Sequence, residues 1–223
     1  FPEVKRTRWL AGVGLERLRG VMQHSDWKLV AFAIETGLRR GEQLGLRWDQ
    51  VDVENGVLTL PLPKGGKTRH VPLSEEAKAI LRSFDSFLRS AWVFPGLRDV
   101  TQPMDSRAFL RRSFEPGLRQ AGIIGACWHS LRHTAASRRV IAGVDLVSVK
   151  EILGHRDIQT TLRYAHLAPG HLRDAVNRGS LSGTVTKTVT NQEGEREEKI
   201  QPIDYLVRPE GLEPPTPRSV VWC

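Results

Sequence analysis

Residues 129–165 read HSLRHTAASRRVIAGVDLVSVKEILGHRDIQTTLRYA. Apolar positions recur along this stretch at helical spacing, and Gly143 and Gly154 cut it into three segments, 129–142, 145–153 and 157–165. Downstream, Pro169-Gly170 closes the run, and 169–177 reads as one more short helix with apolar Leu172, Ala175 and Val176. Upstream, 105–121 is helical, with Gly122 and Gly125 separating it from the quoted stretch. Further back, 14–23 places Leu15, Leu18, Val21 and Met22 at the same spacing. Segment 26–36 is a second helix with Asp26 expected as its N-cap and Leu29, Val30, Ala33 and Ile34 as its core face. Gly37 ends it, and RRGEQLGL follows as a short helix.

The period changes once. Asp52, Asn55 and Gly56 mark a turn before Val57-Leu58-Thr59-Leu60, and a glycine-containing turn then leads to Thr68 through Leu73. Two short strands around such a turn predict a hairpin whose tip carries Lys64, Lys67 and Arg69. Ser74-Glu75-Glu76 opens the next helix with an acidic first turn that suits the helix dipole. The expected class is therefore mostly α with a small antiparallel β-hairpin (α+β). Residues 1–178 form the folded domain. Beyond it, 179–223 is rich in Ser, Thr, Gly, Glu, Pro and Lys and reads as a disordered tail.

The chain's 223 residues suffice for one substantial core. No apolar run is long enough to span a bilayer, and Phe1 opens neither a signal peptide nor a natural start. A cytoplasmic, nucleoid-associated fragment lacking its N-terminal part is the expectation. Lys plus Arg number 33 against 25 Asp plus Glu. The tail from 179 holds five basic and seven acidic side chains, leaving 28 against 18 in the body. A basic body suits a polyanionic partner. The two cysteines do not make a disulfide scaffold. Cys127, His129 and His133 are close together but match no standard zinc spacing, so Cys127 is expected to be a reduced, buried thiol and no metal or cofactor is expected.

Four segments carry chemistry: TGLRRGE at 36–42, Lys64, HSLRH at 129–133, and LGH at 153–155 followed by Tyr164. In order they supply Arg, Lys, His-x-x-Arg, His and Tyr. This set and order resembles the active site of the tyrosine recombinase (phage integrase) family, over roughly residues 8–178. The resemblance implies site-specific DNA cutting and rejoining through a 3′-phosphotyrosyl link, with Arg39, Lys64, His129, Arg132, His155 and Tyr164 as the catalytic set.

Those residue types suit a phosphodiester. Guanidiniums remain charged at physiological pH and fork onto non-bridging oxygens, which fits Arg39 and Arg132. Arg40 is the rival to Arg39, and the TGLR wording favours Arg39. The resemblance makes Tyr164 the nucleophile, His129 its proton acceptor, His155 a phosphate ligand and Lys64 the acid for the departing 5′ oxygen. A phenol with a pKa near ~10 needs such an acceptor. Glu42 could be an exposed acid or could orient Arg39, and His133 is read as a satisfied structural histidine. Lys67 and Arg69 are expected to bind DNA backbone, or else to lie on a solvated hairpin.

The partners implied are double-stranded DNA, a homo-tetramer on a DNA synapse and accessory DNA-bending proteins, with no membrane. The terminal helix at 169–177 either docks on a neighbouring protomer or packs on its own chain. The family's N-terminal core-binding domain is not in this sequence. Three other readings stay open: a Xer-type chromosome-dimer resolvase, a type IB topoisomerase, and a DNA-binding module without catalysis.

Overall fold

The computed structural model describes residues 9–61 and 68–168. Helices α1 (Gly12–Val21) and α2 (His24–Thr36) lead into the short α3 (Arg40–Leu44). A small sheet follows, formed by β1 (Val51–Asp52), β2 (Val57–Leu60) and β3 (Arg69–Pro72). Then come α4 (Glu75–Arg82), a continuous helical run of α5 (Ser106–Phe109), a π-helical turn (Leu110–Phe114) and α6 (Glu115–Gln120). Helices α7 (Trp128–Ile141), α8 (Leu146–Leu153) and α9 (Gln159–Leu162) complete the order.

The sheet is antiparallel in the order β1-β2-β3. Leu58 pairs with Val71 and Leu60 with Arg69. Leu58, Leu60 and Val71 are buried on one face, as the two-residue side-chain period requires. The turn predicted at Asp52, Asn55 and Gly56 exists, with Asn55 N donating to Asp52 Oδ1 at 2.9 Å. It joins β2 to β1, a third strand that two residues were too few to announce.

Helix α2 shows the expected core face, with Leu29, Val30, Ala33 and Ile34 all buried. Its start differs from the expectation. Gln23 is the N-cap and Asp26 lies in the first turn, where it accepts a hydrogen bond from Ser113 instead of capping. Ser74 does cap α4, accepting from Ala77 N at 3.2 Å. Cys127 is exposed, not buried, because it is the extended residue that opens α7.

A large core fills the space among α1, α2, α4, the sheet and the 106–120 helical run, with Phe32, Phe94, Phe109 and Phe114 at its centre. A second apolar cluster joins Ala135, Ala136 and Val140 of α7 to Val149 and Leu153 of α8 and to Tyr164. Between the clusters, α2 packs on α7, and Gly37 closes α2 in the left-handed conformation (φ 65°). A Cβ on Gly37 would lie 2.3 Å from Leu153 Cδ2 and 3.3 Å from Ala135 Cβ. Only glycine allows the α2–α3 corner to sit that close to α7 and α8.

Candidate active site

Arg39 is the N-cap residue of α3, reached one residue after the Gly37–Leu38 corner. Glu42, in the first turn of α3, accepts both from Arg39 N (2.9 Å) and from its Nη1 (2.8 Å). Arg39 Nη2 donates to Gly154 O at 3.2 Å. Burial pushes the Glu42 carboxyl up, but the Arg39 hydrogen bonds and the charges of Arg69 and Arg39 outweigh it and hold the group below its ordinary value.

On α7, residues 129, 132 and 133 share one side of the helix because they are spaced three and four apart. Arg132 is buried, with Nη1 donating to Gly37 O at 2.6 Å and Nη2 to Leu153 O at 2.7 Å. Burial, and then the neighbouring charge of Arg39, lower its pKa to about 10, so it stays a cation at neutral pH. Both arginines are thus seated on main-chain carbonyls of two corners, Gly37 and Leu153-Gly154. Such carbonyls orient a guanidinium without neutralising it.

His155 follows Gly154 directly and is 9% exposed, with Nδ1 on Thr161 Oγ1 at 2.8 Å. That bond fixes one ring nitrogen and leaves Nε2 for another partner. Burial, with the charges of Arg132, Arg39 and Arg163, depresses its pKa to about 4. His129 keeps much of its surface exposed, but the partial burial of its ring and the same three arginines lower its pKa too. It stands edge-on to His133, with ring centroids 4.7 Å apart.

Tyr164 is only 2% exposed and lies in the second apolar cluster. Its hydroxyl is hydrogen-bonded to Nδ1 of His133. Burial raises the phenol's pKa, and the charges of Arg163 and Arg132 pull it down without overcoming that effect. Burial, then His129, Arg163 and Arg132, lower His133 to about 4. Sequence reasoning gave His133 only a structural place. Its spacing of four from His129 was the signal that it shared the same face.

Two open concavities adjoin these groups. One, of about 820 Å³, is lined by Arg39, His155, Lys150, Arg156 and Thr160 among others. The other, of about 570 Å³, is lined by His129, Arg132, Arg40 and Cys127 among others. Arg40 faces the second, whereas Arg39 is the residue tied to Glu42 and Gly154. Lys64 and Lys67 lie outside the described residues.

Arg69 departs from the expectation of an outward-reaching DNA contact. It shares its strand face with buried Val71 and is turned inward, its side chain 11% exposed. Nη1 donates to Leu153 O at 2.8 Å and Nη2 to Glu42 Oε2 at 3.4 Å. Also missed by sequence reasoning were Thr161, which holds His155, and Arg163, an exposed cation whose charge acts on three histidines and on Tyr164.

The described geometry therefore seats Arg39 and Arg132 on neighbouring carbonyls, with His155 and His129 lining the adjoining concavities and the Tyr164 hydroxyl held by His133. The chain belongs to the phage integrase family, which it matches over residues 13–171. It is 33% identical over 208 residues to the integrase of Salmonella phage P22, covering 86% of this chain and 53% of that protein. To tyrosine recombinase XerC of Pseudomonas savastanoi pv. phaseolicola it is 32% identical over 182 residues, 76% of this chain and 56% of that one. Among solved structures, the catalytic domain of bacteriophage HP1 integrase superposes with a TM-score of 0.58 at 31% identity, covering 78% of this chain and 96% of that one. The chain thus spans about half the length of the curated relatives it matches.

Proposed function

We propose that this chain is the catalytic domain of a site-specific recombinase that integrates and excises a mobile element, cutting one DNA strand at a time through Tyr164. The observation that carries the reading is the anchoring of Arg39 and Arg132 on the Leu153-Gly154 corner, which His155 directly follows. The P22 integrase likeness, which takes in more of the chain than the XerC likeness, supports integration over dimer resolution.

In this reading a scissile phosphate lies across Arg39 and Arg132, whose free N–H groups grip its non-bridging oxygens as charge builds there. His155 Nε2 donates to one of them. The phenolate oxygen of Tyr164 attacks phosphorus, the bond to the 5′ oxygen breaks, and the strand is left as a 3′-phosphotyrosyl ester. Lys64 gives the departing 5′ oxygen its proton. In the present arrangement the phenol rests on His133, which as a neutral imidazole accepts its proton in a hydrogen bond. Attack requires the ring to leave that seat for the open side, where exposed His129 takes the proton. Reversal of the same steps by a new 5′ hydroxyl rejoins the strand, so the bond energy is kept without a cofactor. Four copies on two duplexes complete an exchange.

The test is covalent capture. The chain is incubated with duplexes that are nicked near, and randomised around, a potential cleavage site, so that a short cleaved piece diffuses away and traps the adduct. Wild type is expected to yield a protein–DNA adduct from selected sequences, and Tyr164→Phe none while still binding duplex. An adduct that persists in Tyr164→Phe, or no adduct from wild type, sinks the proposal.

A further inference from the structure

We infer that Arg69 is a positioning residue that locks both active-site arginines in place, and not a DNA contact. The inference rests on the preceding reading only in naming Arg39 and Arg132 as the groups that meet phosphate.

Three guanidiniums meet at one corner. Leu153 O accepts from Arg132 Nη2 at 2.7 Å and from Arg69 Nη1 at 2.8 Å, so one carbonyl, with its two lone pairs, serves both. Glu42 is likewise divided. Its Oε1 holds Arg39 Nη1 at 2.8 Å, while Oε2 takes Arg39 N at 2.9 Å and Arg69 Nη2 at 3.4 Å. Arg69 is thus bonded to the partner of each arginine, and the chain Arg39–Glu42–Arg69–Leu153 O–Arg132 links α3, β3, α8 and α7 with Arg69 at its centre.

Two further observations show that the site is built around this side chain. A Cβ on Gly154 would lie 1.9 Å from Arg69 Nη1 and 2.7 Å from its Cδ and Cζ, so the left-handed Gly154 leaves the space that the guanidinium fills. Arg69 Nε is buried without a hydrogen-bond partner among the described residues. A surface arginine reaching for phosphate would keep that N–H in water. Here the desolvation of one donor is accepted for the sake of two others.

The same face explains why lysine cannot replace it fully. One ammonium makes a point contact, whereas the planar fork spans an acceptor on α8 and another on α3. Removal of Arg69 lets Glu42 rotate and frees the Leu153 carbonyl, so Arg39 and Arg132 lose their mutual register. Their distance from phosphorus, not their charge, is what changes.

The experiment compares Arg69→Met and Arg69→Lys with wild type, all as the full 223-residue chain. Nitrogen-15 NMR of the arginine Nε groups is expected to show the Arg39 and Arg132 signals displaced in both variants. Affinity for a random 24-base-pair duplex, and its salt slope, should stay at the wild-type values. On the captured nicked duplex, the rate of adduct formation at saturating DNA should fall by about tenfold or more in Arg69→Met, with partial recovery in Arg69→Lys. Unmoved Nε signals in a folded variant overturn the inference. So does a salt slope lower by about 1, the mark of a lost phosphate contact, or an unchanged adduct rate. A wild-type chain that forms no adduct counts against the proposed function alone, because the NMR and binding measurements still judge Arg69. If Arg69→Met does not fold, Arg69→Lys carries the same measurements.

Discussion

The oxygen of Tyr164 meets an imidazole while its ring lies among Ala135, Ala136, Val140, Val149 and Leu153. Removing the imidazole leaves a buried hydroxyl without its partner, a loss of about 1–3 kcal/mol. In urea unfolding, His133→Ala is expected to show a destabilisation of that order. In the Tyr164→Phe background the same change should cost clearly less, and equal costs would mean that the pair is not coupled. The histidines also set a pH dependence. His133 and His155 titrate near pH 4 in the folded chain, against an ordinary 6.5. Between those values the unfolded chain binds more protons, so stability present above about pH 6.5 is lost as the pH falls toward 4. Glu42 and the aspartates with lowered pKa act further down, below 4.5 and 3.8 respectively. The slope between about pH 6.5 and 5 therefore belongs to the imidazoles, and His155→Gln should flatten it in denaturation curves taken across that range. Two facts at this scale were within reach of the sequence. Arg69 stands two residues before apolar Val71, so strand alternation already turned it inward, and His133 stands four after His129 on a helix. The basic hairpin nonetheless suggests an outward Arg69, and no local pattern says that His133 meets Tyr164, 31 positions away.

Elements place these groups through their ends more than their middles. Arg39 opens α3, the acceptors of Arg132 close α2 and α8, and His155 follows the α8 cap. Gly154 is the tightest of these joints. Gly154→Ala meets both a positive φ and the Arg69 guanidinium, so it should destabilise the chain by more than about 1 kcal/mol. In an Arg69→Ala background part of that cost should disappear, since only the backbone strain remains. Thermal unfolding of the four variants measures it, and an identical loss in both backgrounds would show that the clash does not matter. The helices were legible because their apolar spacing is local, as in the α2 face. The β1 strand and the α2 start were not, since two residues carry no period and an Asp within the first turn mimics a cap. The Arg39–Gly154 and Arg69–Leu153 bonds span 115 and 84 positions, and no local pattern encodes such distances.

Over the whole molecule, the surplus of 33 Lys and Arg over 25 Asp and Glu predicts affinity for duplex DNA governed by phosphate contacts and counterion release. The dissociation constant for a random duplex should rise steeply between about 50 and 200 mM salt, and an affinity indifferent to salt would contradict it. The described residues all lie within one compact unit. No helix among them is long and apolar enough to cross a membrane.

The seats of Arg39 and Arg132 consist largely of peptide carbonyls. A carbonyl survives every codon change at its own position, so genetic drift can shift these anchors but never delete them. Damaging variants at Gly37, Leu153 and Gly154 should thus betray themselves as errors of placement. They would leave the complement of charge intact and would respond to second-site changes that restore the spacing.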